Sequence, residues 1–123
     1  MKQAYIVKAY RTAVGKAPKG VFRFKRADEL AAETIQHMMK ELPQLDKDRI
    51  DDVIVGNAMP EGAQGLNMAR LISLMGLKIE DVPGVTVNRF CSSGLETIGM
   101  AVAKIQSGMA ECCLLYTSDA ADD

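Results

Sequence analysis

Cys91 is the residue of this chain whose type and surroundings best suit covalent chemistry. It stands in the run from Val87 to Gly94 (VNRFCSSG), between a β-branched segment and a helical pattern that begins at Ser93. A side chain at such a strand-to-helix turn faces the carboxyl end of the sheet, where open α/β folds bind ligands. The helix N-terminus beside it, with unpaired N–H groups and a positive dipole end, favours the thiolate form. The sequence therefore predicts a nucleophile at this turn.

The same turn suits an acyl acceptor. Backbone N–H groups at a helix start can stabilise the oxyanion of a tetrahedral intermediate, and this contribution is often the larger one. Small neighbours, Ser92, Ser93 and Gly94, leave room for a substrate carbonyl. A general base is still required, because a cysteine thiol is mostly protonated at neutral pH. The alternative from position alone is a buried structural cysteine.

The remaining candidate groups point to ordinary structural roles. His37 follows Glu33 by four residues on the polar face of a helical pattern, which predicts a solvated ion pair. A zinc site from His37 and the three cysteines lacks the usual ligand spacing, so we expect no metal. The glycines at 56, 62 and 65 are not followed by the Gly-Lys-Ser/Thr of a phosphate loop.

Composition excludes several classes of protein. The net charge is −1, so no basic excess exists to neutralise nucleic-acid phosphates. Apolar stretches are short and interrupted by charge, which predicts no membrane span. Three cysteines without a Cys-x-x-Cys pair, including the adjacent Cys112 and Cys113, favour a reducing, cytoplasmic location.

Apolar periodicity positions these groups in an alternating β-α-β-α-β-α order, which predicts an α/β domain with a mainly parallel sheet. Short apolar runs predict strands at 4–8, 53–55, 85–87 and 112–115, and repeats of three and four predict helices at 26–42, 67–75 and 93–106. Asn67 is the expected cap of the second helix, and Ser93 with Glu96 predicts a capping box on the third.

The last residues, from 116 to 123, do not continue this pattern. Tyr116 to Asp123 is small, polar and acidic, with neither a helix face nor a core face. One interpretation is a solvated loop, and the other is a non-native tail that follows a partial domain at 1–113.

Four segments resemble the thiolase family of acetyl-CoA and 3-ketoacyl-CoA acyltransferases. They are the loop Arg11 to Lys16 (RTAVGK, with Ala13 where proline is usual), Arg26 to Leu30 (RADEL), Gly65 to Arg70 (GLNMAR), and the cysteine run Val87 to Gly94. The resemblance extends from about Lys2 to Cys113, which is roughly the first third of a family member. The departure from the family's usual residues begins at 114. It implies an incomplete thiolase-like N-terminal half-domain.

The resemblance also implies a chemistry. Cys91 would take the acyl group as a thioester, and its backbone N–H would contribute to an oxyanion hole. The implied reaction is thiolysis of a 3-ketoacyl-CoA by CoA, or the reverse Claisen condensation. No metal or redox cofactor is implied, and acyl-CoA and CoA are the expected partners. The intact protein is expected to be a homodimer or homotetramer, and the cysteine run looks more like the degradative enzymes of fatty-acid β-oxidation.

Two alternatives stay open on the sequence. A ketoacyl synthase-like condensing enzyme also carries a cysteine at a strand–helix turn, and a non-catalytic thiolase-like fragment is the other possibility. The family's catalytic His and second, acid/base Cys lie in its later half, so these 123 residues are expected to be inactive on their own. An uncovered apolar face is expected on the layer of helices and sheet.

Overall fold

The computed structural model describes residues 1–16 and 18–117. Within this part of the chain, three helices alternate with three strands. The elements run α1 (Ala27–Lys40), β1 (Asp52–Gly56), α2 (Met68–Leu77), β2 (Gly84–Val87), α3 (Ser93–Gln106) and β3 (Cys113–Thr117). Two short 3₁₀ turns, Lys47–Arg49 and Gly62–Gln64, lie before and after β1. The predicted α/β class is confirmed, and the observed helices and strands after residue 26 fall close to their predicted positions.

The strands form one open, all-parallel sheet in the order β2-β1-β3. Ile54 pairs with Val85 on one side and with Leu115 on the other. All five residues of the central strand are buried. A continuous apolar run suits such a strand because helices cover both of its faces.

The helices divide between the two faces of the sheet. Val53 and Val55 belong to the main apolar cluster with residues of α1 and α2. Ile54, which is fully buried, points to the opposite face, because side chains alternate along a strand. There α3 packs against β1 and β3. The main cluster consists of Ala31, Ile35, Met39, Ile50, Val53, Val55, Met68, Ala69, Ile72, Leu77, Val82 and Leu114.

The predicted first strand, at residues 4–8, is wrong. The segment has no strand structure, and Tyr5, Ile6 and Val7 are all exposed. A strand needs a hydrogen-bonding neighbour, and the strand pairs of the described residues, β1 with β2 and β1 with β3, do not include this segment. Lys8 Nζ lies 3.2 Å from a Glu41 carboxylate oxygen, and the Tyr10 hydroxyl hydrogen-bonds the same carboxylate.

Small residues bring α3 close to the sheet. Ser93, Thr97 and Ala101, spaced four apart, are its buried positions. The larger apolar stripe faces away, so that Leu95 and Ile98 are exposed. The expectation of an uncovered apolar face is therefore confirmed.

The chain after residue 112 continues as β3. Leu114 is buried in the main cluster, and Thr117 pairs with Gly56 at the end of the sheet. The predicted division at residue 113 thus falls inside a strand, and a non-native tail over 114–123 stays a prediction. Residues 118–123 lie outside the described residues.

A substitution at Gly84 tests the contact between β2 and α2. A Cβ at Gly84 would lie 2.5 Å from the carbonyl carbon of Ala69, whereas a Cβ at Gly99 on α3 would meet nothing within 4 Å. We expect Gly84→Ala to destabilise the fold by about 1–3 kcal/mol, because the backbone of α2 must move. The matched change Gly99→Ala should be neutral or stabilise by about 0.5–1 kcal/mol. Urea unfolding followed by circular dichroism measures both, and equal stabilities for the two variants would contradict the packing.

Asp51 gives the fold a dependence on pH. Its carboxylate accepts the backbone N–H groups of Glu111, at 2.6 Å, and Cys112, at 3.2 Å, and these bonds lower the pKa of Asp51. A lowered folded-state pKa means that the contribution to stability is complete above the ordinary carboxyl value and is lost as the pH falls through the folded value. We expect the free energy of unfolding of Asp51→Asn to fall less steeply than that of the parent chain as the pH is lowered. If the variant lost stability at low pH as steeply as the parent chain, other carboxylates would be responsible for that loss.

Candidate active site

Cys91 lies in the turn that joins β2 to α3, at the carboxyl end of the parallel sheet, as predicted. Its side chain is exposed. The turn is closed by two backbone bonds, from Ser92 N–H to Arg89 O and from Ser93 N–H to Phe90 O, each 3.1 Å. The Cys91 N–H, which the family resemblance implies as an oxyanion-hole donor, takes part in neither of these two bonds.

Phe90, directly before Cys91, has a left-handed backbone with φ of 52°. A bulky residue adopts this conformation only at an energetic cost. Phe90 is 77% exposed as a residue, so packing does not hold it there. Its N–H donates to Asn88 Oδ1 at 2.9 Å, which fixes one side of the residue.

The predicted capping box of Ser93 and Glu96 is wrong. Helix α3 is capped by Ser92 without a side-chain hydrogen bond, and the Ser93 hydroxyl turns back into the turn. It accepts the Arg89 N–H at 2.9 Å and donates to Phe90 O at 2.7 Å. Glu96 pairs instead with the Arg89 guanidinium, at 3.2 Å. The left-handed Phe90 brings the backbone of residues 89 and 90 within reach of Ser93, and this local geometry is not visible in the spacing.

Two glycine contacts fix the start of α3 on the sheet. A Cβ at Gly56, the last residue of β1, would lie 2.8 Å from the carbonyl carbon of Ser93. A Cβ at Gly94 would lie 3.0–3.2 Å from the side chain of Thr117 at the end of β3. The helix start therefore touches the ends of two strands, and Cys91 stands directly before it.

The segment Gly65 to Arg70 holds the other side of the turn, through β2. Asn67 caps α2, as predicted, by accepting the Arg70 N–H at 3.4 Å. Its side chain also reaches β2, because Nδ2 donates to Gly84 O at 2.9 Å and Oδ1 accepts the Thr86 hydroxyl at 2.7 Å. Arg70 then donates to the carbonyls of Val82, at 2.8 Å, and Glu80, at 3.1 Å.

The sequence predicted only the Asn67 cap. It did not predict the hydrogen bonds by which Asn67 and Arg70 hold β2 and the loop before it. The signal available was the pairing of an Asn and an Arg around a helix start, but its partners lie 10 to 19 residues away along the chain.

Cys112 and Cys113 differ from Cys91 in their surroundings. Both are half-buried, and burial raises the pKa of each thiol, with the nearby aspartates Asp51 and Asp52 raising it further. They are thus kept in the less nucleophilic thiol form at neutral pH. Of the three cysteines, Cys91 is the most exposed.

His37 does not lie with Cys91. It is exposed on α1, with its ring 6.0 Å from that of Tyr10 in an edge-on arrangement. The predicted pairing with Glu33 is wrong, because the Glu33 carboxylate binds Lys25 Nζ. In residues 1–16 and 18–117, no group of three His, Cys, Asp or Glu side chains is arranged to hold a metal ion.

Comparison with known proteins gives the same family as the residues do. The family description "Thiolase, N-terminal domain" matches residues 4–117. A 3-ketoacyl-CoA thiolase of Bacillus subtilis (strain 168) is 46% identical over 108 residues, which cover 88% of this chain and 27% of the relative. A 3-ketoacyl-CoA thiolase of Shewanella sp. (strain ANA-3) is 41% identical over 115 residues, which cover 94% of this chain and 30% of the relative.

The chain thus spans less than a third of the length of these relatives. The match nevertheless includes the braced segment at 65–70, the turn with Cys91 and the strand that ends at Thr117. This chain belongs to the thiolase family and matches its N-terminal domain.

Proposed function

We propose that this chain supplies the nucleophile of a thiolase-type acyltransferase, with Cys91 as the acyl acceptor. The observation that carries the proposal is the exposed Cys91 thiol at the carboxyl end of a parallel sheet, directly before a helix start. The relatives named 3-ketoacyl-CoA thiolase support a 3-ketoacyl-CoA as the substrate and CoA as the second substrate. The proposal includes no metal or redox cofactor.

The reaction proceeds in two acyl transfers. The Cys91 thiolate, its proton lost to a base, attacks the C3 carbonyl of the 3-ketoacyl-CoA and forms a tetrahedral oxyanion. The C2–C3 bond then breaks, its electron pair stays on C2, and protonation of C2 releases acetyl-CoA. CoA thiolate next attacks the acyl-Cys91 thioester, which gives a shortened acyl-CoA and restores the Cys91 thiol. Run backwards, the same steps are a Claisen condensation.

The Cys91 N–H is the proposed donor from this chain to the oxyanion. Donors that are already in place before the reaction stabilise the developing charge without reorganisation. The chain's single histidine, His37, is not available as the base, because it lies on α1 against Tyr10. We therefore expect neither acylation nor turnover when the chain acts alone.

The wider setting belongs to the same proposal. The intact protein would act as a homodimer or homotetramer in the cytoplasm, in the degradative direction of fatty-acid β-oxidation. No helix in the described part of the chain is both long and apolar enough to cross a membrane. The ketoacyl synthase alternative is disfavoured, since both the family match and the relatives are thiolases.

The reactivity of the three thiols tests the nucleophile. We expect iodoacetamide to alkylate Cys91 several times faster than Cys112 or Cys113 in the folded chain, because those two are half-buried and have raised pKa values. Peptide mass spectrometry over a time course gives the three rates. Cys91→Ser should remove the fast phase and Cys112→Ser should leave it. The difference should disappear in urea, where all three thiols are exposed. Equal rates already in the folded chain would exclude a selectively reactive Cys91.

The acyl transfer itself is tested in a chimera. Residues 4–117 replace the matching segment of the Bacillus subtilis 3-ketoacyl-CoA thiolase, so that the rest of a complete enzyme surrounds Cys91. We expect CoA-dependent cleavage of acetoacetyl-CoA by the chimera, its loss by at least about 10³-fold in Cys91→Ala, and no turnover by the unfused chain.

The Cys113→Ser chimera is the matched control and should keep its activity. A folded chimera, judged by circular dichroism and thermal unfolding, that is inactive or equally active without Cys91 would refute the proposed function.

A further inference from the structure

We infer that the Ser93 hydroxyl is a positioning group for acyl transfer, because it orients the peptide unit that carries the Cys91 N–H. The inference rests on the function proposed above and adds to it a residue that does not touch the substrate. Ser93 stands two positions after the nucleophile, and its buried side chain points back into the turn.

Two donors from Ser93 meet on one carbonyl. The hydroxyl donates to Phe90 O at 2.7 Å, and the Ser93 backbone N–H donates to the same oxygen at 3.1 Å. The hydroxyl also accepts the Arg89 N–H at 2.9 Å, which fixes the direction of its own proton toward Phe90. Ser93 as a residue is only 3% exposed, so bulk water has little access to it.

Fixing Phe90 O also fixes the Cys91 N–H. The two groups belong to the same peptide unit, which is planar, and in a trans peptide they point in opposite directions. With its oxygen held on Ser93, this peptide directs the Cys91 N–H away from Ser93. The proposed oxyanion donor is therefore oriented by Ser93, which binds the carbonyl oxygen at the opposite end of the same peptide unit.

The conformation of Phe90 explains why such a restraint is needed. Its left-handed backbone, with φ of 52°, persists only where the surroundings impose it. The exposed aromatic ring contributes little to that, and Asn88 holds only the peptide before Phe90. The peptide between Phe90 and Cys91 depends on Ser93.

Ser93 is itself fixed in place. Its main chain lies against Gly56 at the end of the central strand, where a Cβ would come within 2.8 Å of it. The Ser93 hydroxyl thus links the orientation of the Cys91 N–H to the end of the central strand.

The test uses Ser93→Ala in the chimera with the Bacillus subtilis enzyme. We expect kcat for cleavage of acetoacetyl-CoA to fall about tenfold or more, as for other losses at an oxyanion site, while KM changes little. The backbone bond from Ser93 to Phe90 remains, so circular dichroism should show an unchanged fold.

Alkylation of Cys91 separates positioning from a general loss of structure. Iodoacetamide reacts by displacement and forms no oxyanion, so its rate at Cys91 should stay within about twofold of the parent. Ser92→Ala is the matched control, because the Ser92 hydroxyl donates to Arg89 O, in a different peptide, at 2.9 Å. It should leave kcat within about twofold.

Two results would overturn the inference. One is a Ser93→Ala chimera with parental kcat. The other is a parallel fall in kcat, alkylation rate and thermal stability, which would give Ser93 a purely structural role. Both are distinct from failure of the proposed function, in which the parent chimera and its Cys91→Ala variant would have equal activity.

Discussion

The close approach of α3 to the end of β1 is the constraint on which the site depends. At Gly56 the strand carries no side chain, and the main chain of Ser93 occupies the space where a Cβ would stand. Any larger residue would push the helix start away from the sheet and move the turn that bears Cys91. The burial of Ser93, Thr97 and Ala101 continues the same requirement along the helix, since each keeps the axis close to the strands.

The two sides of the turn are held by different forces. On the side of β2, polar bonds from Asn67 and Arg70 tie the strand and the loop before it to α2. On the side of α3, the contacts are steric, at Gly56 and Gly94. Between them lies a short turn whose left-handed residue, Phe90, is maintained by hydrogen bonds. Cys91 is therefore placed by its neighbours, whereas the residue itself stays exposed.

The sequence allowed the alternation of helices and strands to be predicted because each element after residue 26 carries a local signal. The run at 53–55 is apolar throughout, and Asn67 marks a helix start. The prediction of a strand at residues 4–8 was wrong because Tyr5, Ile6 and Val7 are apolar on both faces. The local pattern does not say whether a sheet edge is available for pairing. The predicted capping box of Ser93 and Glu96 was wrong for a related reason. The pattern Ser-x-x-Glu fits a helix start, but the left-handed Phe90 gives the Ser93 hydroxyl nearer partners.

The position of Cys91 was predictable from the elements on either side of it, but its restraints were not. A strand followed by a small-residue turn and a helix specifies which end of the sheet the thiol faces. The partners that aim the turn come from β1, from β3 and from the segment at 65–70, and none is adjacent in sequence.

Most of the apolar core lies on the face of α1 and α2, whereas the face of α3 leaves Leu95 and Ile98 exposed. The geometry at Cys91 thus rests less on hydrophobic burial than on hydrogen bonds and glycine contacts. These interactions depend steeply on distance and angle. A site held in this way is sensitive to a single hydroxyl or methyl group beside the turn.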